Sequence, residues 1–359
     1  MGRIRRTARL KLALLVPGSI DQLTGGYLFA RHVVDGLRDG GDEVAIIELA
    51  GEFPGADAVA RAAATAALAS LPDGAAAVID GLALLGFADC LAAEAQRLKL
   101  IGFIHHPLAD ESGLAPTEAS RLRAAEHRLL PLLRGAICPS RTTAAALLRY
   151  GLATERIAIV PPGTVKPAAI MRRDAPAQPL RLLAVATITP RKGHRVLIEA
   201  LAQLDRGEWQ LDCIGSTTRD PVCVAALHRT ITAHGLDANV RLVGEMPPAQ
   251  LVPAYDDADL FVLASFHEGY GMAFAEALAH GLPIVATCAG AIPDTVPESA
   301  GLLVPPGDIA ALTAALGRVV ADRALLARLS EGARRAGAAL PDWPQAVAHW
   351  RAAVMRLLA

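Results

Sequence analysis

Two doubly wound α/β domains in series are the fold this sequence predicts, on three observations. Short apolar runs alternate with longer helical patterns along both halves of the chain, as βαβ units require. The alternation lapses once, between Pro161 and Pro179, where prolines cluster and apolar periodicity disappears, and then resumes. The apolar content is 53% with only 4% aromatic, so small aliphatics dominate, which suits helices layered closely on sheets.

In the first half the strands are expected at Lys11–Val16, Glu43–Ile47, Ala77–Asp80, Leu100–Ile104, Ala136–Cys138 and Ile157–Val160. Between them, Tyr27–Asp39 reads as a helix halted by Gly40-Gly41, and Asp57–Ser70 as one halted at Pro72-Asp73-Gly74. Pro116–Leu133 starts with a proline at a first-turn position and carries charge on one face. Ser140 can cap a short helix that Gly151 closes. In the second half strands are expected near Leu180–Ala186, Trp209–Ile214, Val240–Leu242, Leu260–Ala264 and Ile284–Thr287, with helices at His194–Leu204, Val222–His234 and Gly271–His280. The tail from Ile309 is helical, with Trp343 and Trp350 seven residues apart on one face.

Several classes of function are excluded early. With 35 Lys+Arg against 36 Asp+Glu, no net field draws the chain to nucleic acid. The five cysteines are scattered without a C-x-x-C pair, which argues against both a disulfide framework and a zinc ribbon. The basic start followed by Leu12–Val16 is too short for a signal-peptide core, and no run reaches the length of a membrane span. The expectation is a cytoplasmic protein. Arg3, Arg5, Arg6, Arg9 and Lys11, with the cations between Arg121 and Arg134, leave room for peripheral contact with the inner face of a membrane. No G-x-G-x-x-G follows the first strand, where Pro17-Gly18-Ser19-Ile20-Asp21 stands instead, so a dinucleotide-dependent dehydrogenase is disfavoured.

Four segments carry chemistry. The most informative is HEGYGMAFAEALAHGLPIVAT, residues 267–287. Glu268 follows a buried strand and precedes two glycines, and Glu276 lies eight positions later within the helix. Gly269 and Gly271 let backbone N–H groups approach a ligand at a helix start that favours an anion. A carboxylate at each end is costly beside an anion unless it accepts protons from a polyol, which argues for sugar on both sides of a diphosphate. In VATITPRKGHRVLIEAL, residues 185–201, Arg191-Lys192-Gly193 is expected to open the next helix and supply two cations for that diphosphate. Gly25-Gly26 after the first strand can form a close backbone approach. His105, in IGFIHHP, ends a strand where it can hydrogen-bond a ligand hydroxyl or carry a proton. Asp256, Asp257 and Asp259 read as a solvated face rather than a metal site, and no metal is expected.

Together these elements resemble glycosyltransferase family four, the retaining enzymes with the GT-B fold, over nearly the whole chain. The resemblance rests on Gly25-Gly26, His105, Arg191-Lys192-Gly193 and the paired Glu268 and Glu276. The stretches Val240–Gly269 and Asp294–Asp308 also look like the family. It implies two Rossmann-like domains facing an interdomain cleft. The first, acceptor-side domain would comprise residues 1–165, with the C-terminal helix of about 342–359 returning to it; the second, nucleotide-sugar-binding domain would comprise 166–341. It further implies a metal-independent hexosyltransferase without cofactor, moving a hexose from a UDP- or GDP-sugar to a hydroxyl acceptor that is a glycolipid, polysaccharide or small molecule.

Carried over by position, Glu276 would accept the ribose hydroxyls, Lys192 would bind the diphosphate and Glu268 would hold sugar hydroxyls near the N–H groups of Gly271 and Met272. His105 would contact the donor sugar, Gly25-Gly26 would border phosphates and acceptor, and Gly244, Glu245 and Met246 would lie near the base. Where the family often has an arginine, five residues before the lysine, this chain has Thr187, and Arg191 is expected to supply the second cation. A related GT-B enzyme that epimerises or phosphorolyses a sugar, and a catalytically silent nucleotide-sugar-binding subunit, are the alternative readings.

Overall fold

Seven residues from Lys11 to Pro17 form the first strand, β1, and all but the first are buried. In the computed structural model, which describes residues 9–168 and 178–359, β1 starts a six-stranded parallel sheet. Its partners are β2 (Glu43–Leu49), β3 (Ala76–Asp80), β4 (Lys99–Phe103), β5 (Gly135–Cys138) and β6 (Ile157–Ile159), in the order β2-β1-β3-β4-β5-β6. The crossovers are α1 (Gly25–Asp39), α2 (Ala58–Ala69), α3 (Leu91–Glu94), α4 (Pro116–Leu129) and α5 (Arg141–Arg149). Two of these helices start on side-chain caps: Asp57 accepts from Ala60 N at 2.8 Å and Ser140 from Thr143 N at 3.0 Å.

A second parallel sheet is ordered β12-β11-β10-β7-β8-β9. Its strands are β7 (Leu180–Val185), β8 (Trp209–Ile214), β9 (Val240–Gly244), β10 (Leu260–Leu263), β11 (Ile284–Thr287) and β12 (Gly301–Val304). Around it lie α6 (His194–Leu201), α7 (Pro221–Ala233), α8 (Pro248–Asp257), α9 (Met272–Ala279), α10 (Ile292–Thr295), α11 (Ile309–Ala321) and α12 (Arg323–Ala339). Alternate residues of β7 feed different cores: Leu182 and Ala184 pack with α6 and α11, Leu183 with Phe261, Phe274 and Leu278. A parallel sheet covered on both faces requires this, and it is why its strands read as unbroken apolar runs.

The chain divides into two compact units, Met1–Gly163 with Trp343–Ala359, and Thr164–Asp342. The last helix, α13 (Trp343–Leu358), therefore belongs with the first sheet. It packs on α1, β4 and β5. Trp350 is 1% exposed with its ring edge-on to Phe103 at 6.0 Å, and Trp343 stacks on His32 at 3.8 Å. Arg351 donates to both carboxylate oxygens of Asp42, at 2.7 and 3.1 Å, and Asp42 also accepts from Leu10 N at 2.9 Å. Burial opposes ionisation of Asp42, yet these hydrogen bonds outweigh it and hold its carboxyl below the usual range.

The structure departs from the sequence expectation at several elements. β12 has no counterpart among the expected strands: GLLV is only four residues long and is followed by Pro305, so it carries little signal by itself. The helix expected to run from Pro116 to Leu133 ends at Leu129, because Pro131 has no N–H to continue it, and a 3₁₀ turn, Leu130–Leu132, follows. α1 begins two residues earlier than expected, with Gly25-Gly26 inside its first turn. The acidic group at the end of α8 is a solvated face only at Asp257, whose side chain is 72% exposed. Asp259 is 3% exposed and accepts from Arg181 N at 3.0 Å, tying the start of β10 to β7, while Asp256 pairs with His280 Nδ1 at 2.7 Å. Among the described residues no cluster of acids, histidines and cysteines is arranged to hold a metal ion.

Of the basic start, Arg3, Arg5 and Arg6 lie outside the described residues, as do residues 169–177 of the expected linker. Arg9 and Lys11 both pair with Glu43, at 3.2 and 3.5 Å. No helix among the described residues is long and apolar enough to cross a membrane.

Because Trp350 fills the seam between α13 and the first sheet, Trp350→Ala should lower the unfolding free energy of the first unit by about 3–5 kcal/mol. Denaturant unfolding followed by far-UV circular dichroism measures this, and a loss under about 1 kcal/mol would show that α13 is not part of that core.

Candidate functional site

Parallel strands deliver their loops to one edge of a sheet, and three neighbouring strands of the second unit do so around Glu268. β10 leads into the loop that carries it, β7 into a 3₁₀ turn at Pro190–Lys192, and β11 into the segment around Gly290. Glu268 is 5% exposed. Its Oε1 accepts from Lys192 Nζ at 2.7 Å and from Ser265 Oγ at 2.7 Å, and Arg191 Nη1 stands 3.6 Å from Oε2. Burial alone would push this carboxyl up. The charges of Lys192 and Arg191, with the hydrogen bonds from Lys192 and Ser265, prevail and hold it below the usual carboxylate range.

The backbone is fitted to this ion pair from both sides. On the β7 side, Phe266 N donates to Arg191 O at 2.7 Å and Arg191 Nη1 to His267 O at 3.0 Å. Gly193 closes the turn at φ +65°, where a side chain would collide with the carbonyl of Ala264. On the β11 side, Thr287 Oγ1 donates to Ser265 O and Ala291 N to Glu268 O. Gly290, at φ +55°, rests directly on the backbone of Glu268 with no room for a Cβ.

The structure thus brings Arg191, Lys192 and Glu268 together but corrects how the cations are presented. They do not open a helix. They occupy a separate 3₁₀ turn, Gly193 caps α6, and His194 begins it as a buried residue whose ring burial and Lys192 push down to about 4. The turn is separate because Gly193 takes the left-handed conformation, which interrupts the helical backbone.

Gly271 immediately precedes α9, Met272 is its first residue and Glu276 lies one turn in. Glu276 is partly buried; burial raises its carboxyl, opposed by a hydrogen bond from Tyr255 Oη to Oε2 at 2.7 Å. Gly244 ends β9 at φ +92°, Glu245 follows it, and Met246 packs against the cluster that includes Tyr255 and Phe274.

In the first unit, β1, β3 and β4 are neighbours and likewise deliver three groups to one edge. Gly25-Gly26 starts α1, Asp80 ends β3, and His105 follows β4 by two residues. His105 Nε2 lies 3.3 Å from Asp80 Oδ2, while Asp80 Oδ1 accepts from Leu82 N at 2.8 Å, so the carboxylate is fixed before it meets the imidazole. A Cβ on Gly26 would come within 3.1 Å of His105 Nε2. His106 turns instead toward Glu111, 3.3 Å away. The turn beyond Pro107 is held by Glu126 of α4, which accepts from Leu108 N at 2.6 Å and Ala109 N at 3.1 Å. Burial outweighs these bonds and pushes the Glu126 carboxyl up to about 7.

Sequence reasoning missed Ser265, Thr287, Gly290, Tyr255, Asp80 and Glu126. Asp80 carried a signal, being an acid at the end of an apolar strand. Ser265 acts within the Glu268 loop itself but belongs to no recognisable pattern, and the others act across the fold.

With this geometry in view, the comparisons with known proteins are decisive about kinship. Residues 179–322 match the family described as Glycosyl transferases group 1, and residues 79–165 match Glycosyltransferase Family 4. The two stretches together span more than half the chain. The chain belongs to glycosyltransferase family four. Relatives of this family include the amylovoran biosynthesis glycosyltransferase AmsK of Erwinia amylovora, 35% identical over 59% of this chain and 49% of that protein. The D-inositol 3-phosphate glycosyltransferase of Xylanimonas cellulosilytica is 28% identical over 74% of this chain and 68% of its own length. The chain thus spans about half the length of the first of these relatives.

Among solved structures, sucrose-phosphate synthase of Thermosynechococcus elongatus superposes with a TM-score of 0.80 at 22% identity, covering 96% of this chain and 98% of that one. HepE of Anabaena, in complex with UDP-glucose, gives 0.72 at 18% identity over 96% and 100%. Both likenesses establish the GT-B fold, two Rossmann-like domains, for this family member.

Two outcomes test the structural roles assigned above. Gly290→Ala should destabilise the second unit by about 2 kcal/mol or more, through a strained backbone pressed on Glu268; an unchanged thermal midpoint would contradict that contact. For Glu126 the sign is set by a folded carboxyl titrating near 7, above its unfolded value. The native state keeps a proton that the unfolded chain releases as pH rises through that window, so Glu126 lowers stability there, while His194 acts in the opposite direction. Relative to the unaltered chain, Glu126→Gln should therefore gain about 3 kcal/mol between pH 4.5 and 7. A difference constant across that range would show that Glu126 is ionised throughout.

Proposed function

We propose that the chain is a retaining hexosyltransferase that takes its sugar from a UDP- or GDP-sugar and passes it to a hydroxyl acceptor without a metal ion. The observation that carries this reading is the joining of two cations, Lys192 and Arg191, to a buried Glu268 one loop ahead of the start of α9. Loss of a nucleoside diphosphate builds negative charge on the leaving oxygen and positive charge at the anomeric carbon. Lys192, Arg191 and the N–H groups of Gly271 and Met272 are the groups that would stabilise the former, already in place before the bond breaks. Protein cations doing this work would make a metal unnecessary.

Glu268 would accept sugar hydroxyls and Glu276 the ribose hydroxyls, with Gly244, Glu245 and Met246 beside the base. His105, oriented by Asp80, is the first unit's candidate to hydrogen-bond a sugar hydroxyl, with Gly25-Gly26 leaving the backbone open beside it. Front-face attack, with the leaving phosphate helping to deprotonate the acceptor, would retain anomeric configuration. The UDP-glucose seen in HepE of Anabaena supports a nucleotide-sugar donor here. The relatives named for amylovoran biosynthesis and for D-inositol 3-phosphate support transfer to a hydroxyl-bearing acceptor.

A thermal-shift screen over UDP, GDP, UDP-glucose and GDP-mannose should yield a hit, which then serves as donor in a transfer and hydrolysis assay. Lys192→Ala and Glu276→Ala should each reduce turnover or donor affinity by about 10²-fold or more. Full activity in both variants would remove the site assignment.

A further inference from the structure

Tyr255 is 2% exposed, and its hydroxyl ends on Oε2 of Glu276 at 2.7 Å. The ring cannot swing. It stacks on His280 at 5.1 Å and 18° on one side and on Phe261 at 6.2 Å and 25° on another. His280 is itself fixed, with Nδ1 2.7 Å from Asp256 Oδ1 and its backbone N–H on Glu276 O at 3.1 Å. Burial, then the charge of Glu276 and the shared hydrogen bond, push the phenol well above its ordinary range, so it remains an O–H donor. One carboxylate oxygen of Glu276 is thereby occupied by a donor in a rigid frame, and the carboxyl plane is set. Its other oxygen accepts no hydrogen bond from the described residues.

We propose that Tyr255 is the positioning residue for recognition of the nucleotide's ribose: by holding Oε2 of Glu276 it presents Oε1, as an acceptor of fixed direction, to the ribose hydroxyls. This rests on the reading of Glu276 as the ribose acceptor. A carboxylate free to rotate would share its hydrogen bonds between orientations and lose part of its preference for a hydroxyl-bearing sugar. The hydroxyl of Tyr255 thus sets how strongly the chain distinguishes a ribonucleoside diphosphate from one lacking the 2′ and 3′ hydroxyls.

The test compares binding of UDP with 2′,3′-dideoxy-UDP, and of GDP with its dideoxy form, by titration calorimetry. The unaltered chain should prefer at least one natural diphosphate by tenfold or more. Tyr255→Phe keeps the stacked ring and should cut that preference about three- to tenfold, while leaving affinity for the dideoxy form unchanged. In a Glu276→Gln background the same change should have no further effect on the ratio. Equal losses for both ligands would mean that Tyr255 only supports packing, and would overturn this proposal while leaving the Glu276 reading intact. No preference for either natural diphosphate in the unaltered chain would instead remove the Glu276 reading, and this proposal with it. If Tyr255→Phe does not fold, 3-fluorotyrosine in the unaltered chain reads the same contact: the Tyr255 fluorine resonance should move with the natural diphosphate and not with the dideoxy form. Equal movement with both would overturn the proposal.

Discussion

A carboxylate buried to 5% exposure beside a lysine and an arginine is the constraint on which the loops at one edge of the second sheet depend. An isolated charge at that depth would cost several kcal/mol and would neutralise itself instead. Glu268 stays ionised because Lys192 touches one oxygen, Arg191 faces the other and Ser265 donates from its own loop. Removing both cations would leave the carboxylate buried and uncompensated. The surrounding backbone accordingly has little freedom: Gly193 lets the cationic turn close on Ala264, and Gly290 lets the opposite segment close on Glu268.

Sheet order explains how residues 76 positions apart meet. In the second unit β10 runs between β7 and β11, so the loops leaving their carboxyl ends are adjacent regardless of distance along the chain. The first unit repeats the device with β3 between β1 and β4, which brings Asp80 and Gly26 both against His105. In both sheets the strand order reverses at this place, and a doubly wound sheet opens a crevice there. Two unrelated stretches of sequence thus use one topological rule to gather their polar groups.

How much of this could be read beforehand follows from the range of each interaction. Strands such as Trp209–Ile214 and Ile284–Thr287 were legible to the residue, because apolar runs bounded by turn residues are local signals. Glu268, Glu276, Arg191 and Lys192 stood out because each belongs to a strand–turn–helix unit whose glycines have a backbone reason. What stayed hidden was the pairing. Nothing near Lys192 says that its ammonium meets Glu268, and nothing near Tyr255 says that its hydroxyl meets Glu276. Asp259 misled for the same reason: three acids in four residues look solvated until β7 is laid beside β10 and Arg181 N needs an acceptor.

The two glutamates of one strand–turn–helix segment are driven in opposite directions by their surroundings. Glu268, faced by two cations, is held below the ordinary carboxylate range, whereas Glu276, partly buried with only a neutral phenol as side-chain donor, is raised. Environments that separate two like groups in this way suit them to different tasks. A carboxylate already satisfied by cations adds little repulsion when an anion arrives beside it, since the local charge of Glu268 with Lys192 and Arg191 is positive in sum. Glu276 has no such compensation, so its charge disfavours a neighbouring anion and favours a partner that donates protons. The electrostatics thus favour an anion at the Lys192 turn and a proton donor at Glu276, one helical turn into α9.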